Sequence, residues 1–117
     1  MLSPIMNKKS KKLNIVNLGS NSISYTYGGG YDVMNFTRTV TIDISSKISS
    51  YNKLGLTKDN FIIGLNSINS QYGDVYAKVT GVSHSYSSGK LTIKINCTSL
   101  YGGNFTVSFS AYCAYIE

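Results

Sequence analysis

The feature that most constrains this chain is an alternation of apolar and polar residues with a period of two, carried through three separate segments. In Phe36-Thr37-Arg38-Thr39-Val40-Thr41-Ile42-Asp43-Ile44 the even positions are apolar, with Arg38 as the one exception. In Leu91-Thr92-Ile93-Lys94-Ile95-Asn96-Cys97 and in Phe105-Thr106-Val107-Ser108-Phe109-Ser110-Ala111-Tyr112-Cys113 the odd positions are apolar. A helix would spread such a pattern around its whole surface, whereas a strand sends successive side chains to opposite faces. These segments are therefore half-buried strands with one wet face.

The remaining segments fit the same architecture. Phe61 to Ile68 is more uniformly apolar at its start and reads as a central strand, while Ser22 to Tyr27 reads as a strand and Leu13 to Leu18 as a weaker one. Val75 to Val79 alternates until Gly81 throws Val82 out of phase, the signature of a β-bulge. Turn chemistry separates the strands at Tyr72-Gly73-Asp74, Ser87-Ser88-Gly89 and Gly102-Gly103-Asn104. Ser45 to Leu54 is suited to a single helical turn, and Leu56-Thr57-Lys58-Asp59-Asn60-Phe61 to a turn that leads into a strand. The prediction is an all-β protein: an antiparallel two-sheet β-sandwich of seven or eight strands, jelly-roll or Ig-like. Residues 13–117 form the single domain and residues 1–12 an extended N-terminal arm.

Charge is scarce. Only 14% of residues are charged, against about 25% in an average protein, and Ser, Asn, Thr, Gly and Tyr take their place. A neutral polar surface suits a protein packed inside a larger particle, and it equally suits an AT-rich genome. Of the net charge of +6, much is local: Lys8, Lys9, Lys11 and Lys12 crowd the N-terminal arm. Such a run is a solvated arm or a contact for phosphates or an acidic partner. No stretch approaches the roughly 20 apolar residues that span a bilayer. The first residues lack the order of a secretory signal, so the expectation is synthesis in a cytoplasm. Without export, the triplets at Asn35, Asn96 and Asn104 carry no weight as glycosylation sites.

Chemistry finds little footing. There is one histidine, His84, which reads as a surface strand residue, and the acidic residues Asp32, Asp43, Asp59, Asp74 and Glu117 are scattered. No spacing suits a metal site, a nucleophile elbow or a phosphate loop, so no catalytic residue, no metal ligand and no cofactor is assigned, and the protein reads as a non-enzyme. Cys97 and Cys113 both lie on inward series. If their strands form a hairpin about Tyr101 to Asn104, the register leaves the two cysteines about seven residues, or ~23 Å, out of step. A disulfide needs Cα atoms within about 7 Å, so two free, buried thiols are expected.

The candidate contacts are aromatic and basic. Tyr25, Tyr27 and Tyr31 surround Gly28-Gly29-Gly30. Tyrosines on a Gly-rich loop can stack on a glycan or on a neighbouring subunit, although Tyr25 and Tyr27, two apart, can equally pack on their own domain. Nucleic-acid binding is disfavoured: Lys78, Lys90 and Lys94 sit among Thr, Ser and Asn rather than aromatics.

One resemblance bears on function. Leu56-Thr57-Lys58-Asp59-Asn60-Phe61-Ile62-Ile63, Ser85-Tyr86-Ser87-Ser88-Gly89-Lys90-Leu91-Thr92-Ile93 and the closing Phe105 to Tyr112 resemble strands of the small β-sandwich domains of tailed-phage and prophage virion proteins. That group includes capsid decoration proteins, head fibres and tail-fibre or receptor-binding heads. The resemblance spans about Phe36 to Ile116 and transfers no functional residue; the N-terminus departs from it, with neither a fibre shaft nor a heptad stem. It implies a structural or adhesive virion component, made in the host cytoplasm, acting through protein–protein contacts as a homo-oligomer or within a virion, with a host surface glycan as a further partner. The alternatives are a free carbohydrate-binding β-sandwich module and a small bacterial surface or secreted domain.

Overall fold

The computed structural model describes residues 11–27, 33–70, 77–100 and 103–117. Among them are six strands: β1 (Leu13–Tyr27), β2 (Val33–Asp43), β3 (Phe61–Ser70), β4 (Ala77–Ser87), β5 (Lys90–Leu100) and β6 (Gly103–Ile116). They form two antiparallel three-stranded sheets, sheet A in the order β1-β6-β3 and sheet B in the order β2-β5-β4. The chain is thus the two-sheet β-sandwich that its alternation predicts. Its strands run from 10 to 15 residues, against a usual length of about 5–6. Six long strands stand where the spacing predicts seven or eight shorter ones.

The two middle strands carry the core. On β6 the inward series Phe105, Val107, Phe109, Ala111 and Cys113 is fully buried, and on β5 so are Leu91, Ile93, Ile95, Cys97 and Ser99. Aromatic contacts tie the sheets along both sides. Phe36 of β2 meets Phe105 of β6 edge-on at 6.1 Å between ring centroids, and Phe61 of β3 stacks on Tyr86 of β4 at 4.9 Å.

Three bulges keep apolar residues pointing inward along strands this long. In β1, Asn17 pairs with Tyr112 and Ser20 with Ser110, so Leu18 and Gly19 together oppose one residue. The inward series passes from Val16 and Leu18 to Ile23 and Tyr25, with Gly19 at φ +99° and its N–H bonded to Asn17 Oδ1 at 2.8 Å. This bulge is why the strand reads in sequence as two pieces. A second falls between Leu65 and Ser67 of β3. The third falls between Val79 and Gly81 of β4, where the phase shift at Gly81 predicts it.

Two expectations are corrected. β5 and β6 do not form a hairpin: each is the central strand of a different sheet, and the only sequential hairpin among the described residues joins β4 to β5. Both cysteines are nonetheless free and buried. Cys97 pairs with Phe36, which touches Phe105, whereas Cys113 lies eight residues along β6 from Phe105, or ~26 Å. In addition, β3 is an edge strand of sheet A rather than a central one. Its apolar start misleads because Phe61 and Ile63 face inward while Ile62, between them, is exposed on the outer face.

The connection from β2 to β3 packs under one end of the sandwich. It holds 3-10 turns at Ile44–Ser46, Tyr51–Lys53 and Lys58–Asn60, in place of any longer helix. Ile44 and Ile48 are buried and the Ile44 N–H donates to the Gly89 carbonyl at 2.7 Å. Thr57 caps the last turn, and Asn60 donates through Nδ2 to the Ala114 carbonyl at 2.9 Å, fixing the start of β3 beside β6. At the other end of the chain the ladder of β1 and β6 continues past the strands. Lys12 and Glu117 exchange both backbone hydrogen bonds at 3.1 Å.

The β4–β5 turn turns on Gly89. Its φ is +81°, and a Cβ there would sit 2.8 Å from Tyr51 Cε2. Gly89→Ala should therefore destabilise the fold by about 2 kcal/mol, read as a lowered midpoint in chemical denaturation; a change within about 0.5 kcal/mol would show that this turn relaxes freely. Burial also pushes both thiols up, the Arg38 charge partly opposing this at Cys97. Neither should react with an alkylating reagent in the native protein at neutral pH, and both should react once the unreduced chain is denatured, as read by intact mass.

Candidate interaction surface

The two outer faces differ in charge. None of the residues of β1, β3 and β6 is an Asp, Glu, Lys or Arg, so sheet A carries no charge on either face or either edge. Every charged side chain among the described residues lies on sheet B, in the connection from β2 to β3, or at Lys11, Lys12 and Glu117. The outer face of sheet B presents Lys78, Lys90, Lys94 and Asp43, with Asp43 opposite Lys90 and Lys94 opposite Thr39 and Ser83. The Asp43 carboxyl is held below its ordinary range, chiefly by the Ser45 hydroxyl.

The outer face of sheet A divides in two. One end is apolar: Leu13 is paired with Ile116, Ile15 with Ala114, and Tyr112 with Ile62. Leu13, Ile15, Ile62 and Ile116 are 59, 65, 57 and 61% exposed. Together they offer apolar surface on the order of 400 Å², the size at which patches on monomers are often functional. The rest is a ladder of small polar side chains that bond one another. Asn66 Nδ2 donates to Ser110 Oγ at 2.7 Å, Ser110 Oγ meets Ser20 Oγ at 3.1 Å, and Ser24 Oγ lies 3.4 Å from Thr106 Oγ1. The first two contacts cross all three strands.

The predicted contact residues fare differently. Tyr25 is half-buried at the edge of β1, its ring stacked on Phe36 at 3.9 Å and 16°. The Arg38 guanidinium lies 4.9 Å from the Tyr25 centroid and 5.2 Å from that of Phe36, and Arg38 Nε reaches the Ser24 carbonyl at 3.5 Å. The apparent misfit of Arg38 on an apolar series is thus a cation–π contact that closes the β1–β2 side of the sandwich. Tyr27 ends β1, and its side chain, like Tyr31, Lys8 and Lys9, lies outside the described residues. Lys11 and Lys12 are exposed where β1 begins, beside the apolar end.

His84 is half-buried rather than a surface residue, because the bulge of β4 turns it onto the inward series opposite Ile93. Its Nε2–H donates to the Lys58 carbonyl at 2.8 Å. Beside it lies an open depression of about 400 Å³ lined by Lys58, Asp59, Phe61, Val82, Ser83 and His84. Among the described residues, no three His, Cys, Asp or Glu side chains gather where they could hold a metal ion. None of these residues forms a helix long and apolar enough to cross a membrane.

Sequence reasoning missed the apolar end of sheet A, though Leu13, Ile15, Ile62 and Ile116 are all visible as apolar residues out of step with their strands' inward series. Compared with known protein families, curated proteins and solved structures, the chain has no match.

The packing of Tyr25 has a measurable consequence. Tyr25→Ala should lower stability by about 2 kcal/mol through loss of the stack and the cation–π contact. A variant as stable as the parent would mean that the ring contributes little to the fold.

Proposed function

We propose that this domain is a non-enzymatic structural component of a larger assembly, acting through protein–protein contacts. The assembly is a phage virion, in which the domain serves as an accessory of the capsid decoration, head-fibre or tail-fibre type and to which it comes from the host cytoplasm. The observation that carries this reading is the uncharged sheet A with its exposed apolar end. Interface cores are depleted in charge relative to the remaining surface, and a chain of net charge +6 that leaves three strands wholly uncharged has a face adapted to contact rather than to solvent. The virion assignment rests on the resemblance of the strand sequences. A free carbohydrate-binding module would need exposed aromatic platforms, and Tyr25 spends its ring on Phe36.

The test is fractionation. Particles purified on a density gradient from cells that encode the chain and have been induced to release phage should carry it, detected by antibody in the particle band. Recovery only from the soluble fraction, together with saturable binding to a glycan array by the monomer, would replace this reading with the carbohydrate-binding one.

A further inference from the structure

Resting on that reading, we infer that the first partner of the outer face of sheet A is the same face of a second copy, packed apolar end on apolar end. Charge favours this occupant. Two copies of a +6 chain repel, and of the two outer sheet faces this is the one whose described strand residues carry no charge. Joining through it turns Lys78, Lys90 and Lys94 of each copy away from the contact and leaves Lys11 and Lys12 at its rim. With sheets about 10 Å apart, the two lysine faces end up some 30 Å from each other, well beyond the ~8 Å screening length at physiological salt.

Area favours it as well. Three strands about 4.8 Å apart and 10 to 15 residues long present a face of roughly 14 by 40 Å. Two such faces in contact bury about 1,100 Å², just above the roughly 1,000 Å² that a biological contact should clear, whereas the apolar end alone would fall short of it. Burial of the polar stretch is eased because the Asn66, Ser110 and Ser20 side chains already hydrogen-bond one another.

The edges of sheet A compete less well. β1 and β3 lack charge and proline, yet each carries a bulge that breaks the regular row of backbone groups that a further strand would need. The inward series of β3 and β4 leaves Leu65, Ile68 and Val82 exposed along the open side of the sandwich, a narrower surface than the face.

The experiment is sedimentation equilibrium of the full chain with Ile15→Lys, Ile62→Lys and the control Thr39→Lys on the outer face of sheet B. Circular dichroism checks that each variant folds. A dimer is expected, with dissociation constants raised at least about tenfold by Ile15→Lys and Ile62→Lys and changed less than about twofold by Thr39→Lys. Carbene footprinting of the unmodified chain at low and high concentration keeps the question open to refutation if a variant misfolds: Ile15, Ile62, Tyr112 and Ile116 should lose label as concentration rises. A full chain that stays monomeric at about 200 µM overturns the inference. If deleting residues 1–10 then produces the dimer, the apolar end is covered by the chain's own N-terminal segment instead. A dimer indifferent to Ile15→Lys and Ile62→Lys but weakened by Ile68→Lys overturns it in favour of the open side. A monomer that still bands with particles defeats this inference and leaves the assembly reading standing; a sheet A dimer absent from particles does the reverse.

Discussion

Everything in this sandwich hangs on the contact between its two central strands. β5 and β6 follow each other in sequence yet belong to opposite sheets, and their inward side chains from Leu91 to Ser99 and from Phe105 to Cys113 are withdrawn from water. Each then holds two antiparallel neighbours, β2 and β4 on one side and β1 and β3 on the other. With only three strands per sheet, every strand that is not central is an edge. The burial that stabilises the fold is therefore concentrated on one strand per layer, and the four outer strands are covered on their inner faces only in part. Phe36 with Phe105 and Tyr25, and Phe61 with Tyr86, are points where an outer strand reaches the opposite sheet. At Arg38 with Tyr25 the sandwich is closed by a cation on a ring because the site lies at the solvent boundary, where a guanidinium can pack without losing all of its hydration.

The strands themselves were legible, because a period of two survives any choice of partner. β2, β5 and β6 could be read almost to their ends, the turn at Ser88-Gly89 and the bulge before Gly81 were visible, and Leu56 to Phe61 announced the start of β3. Pairing was not legible. Nothing in the sequence Tyr101-Gly102-Gly103 says whether the chain turns back beside itself or crosses to the other layer. Choosing the hairpin put Cys97 and Cys113 in one sheet; they are free for a different reason, since each faces the interior from its own layer at a different height.

The misreadings cluster where the surface is unusual. Ile62 made β3 look buried on both faces and therefore central, and Leu13 with Ile15 blurred the alternation of β1. In both cases an apolar residue stood on the outer face. The rule that an apolar run means double burial fails when apolar side chains stand on an outer face, so the failure itself marks the apolar end of sheet A. The Tyr25 cluster shows the reverse. Composition suggested a platform for ligands, whereas the register places Tyr25 opposite Phe105 and beside Phe36, inside the domain's own packing.

The division of sheet A into an apolar end and a polar ladder has an energetic logic. At about 25 cal/mol per Å², the four exposed aliphatic side chains at that end could contribute on the order of 10 kcal/mol of gross driving force per copy. In the proposed dimer the two copies' gains would be set against a single association cost of about 4–15 kcal/mol, so the contact would be reversible and sensitive to single substitutions at the apolar end. The ladder adds little affinity, because Asn66, Ser110 and Ser20 exchange one set of hydrogen bonds for the same set. What it contributes is restraint. Had the apolar character of Leu13 and Ile15 continued along all of β1 and β6, the face would be a long, flat, greasy sheet beside two uncharged edges, the arrangement most prone to indiscriminate aggregation. Confining it to one end, and filling the rest with small polar side chains, several of them bonded to each other, would let one registered contact outweigh the many sliding ones.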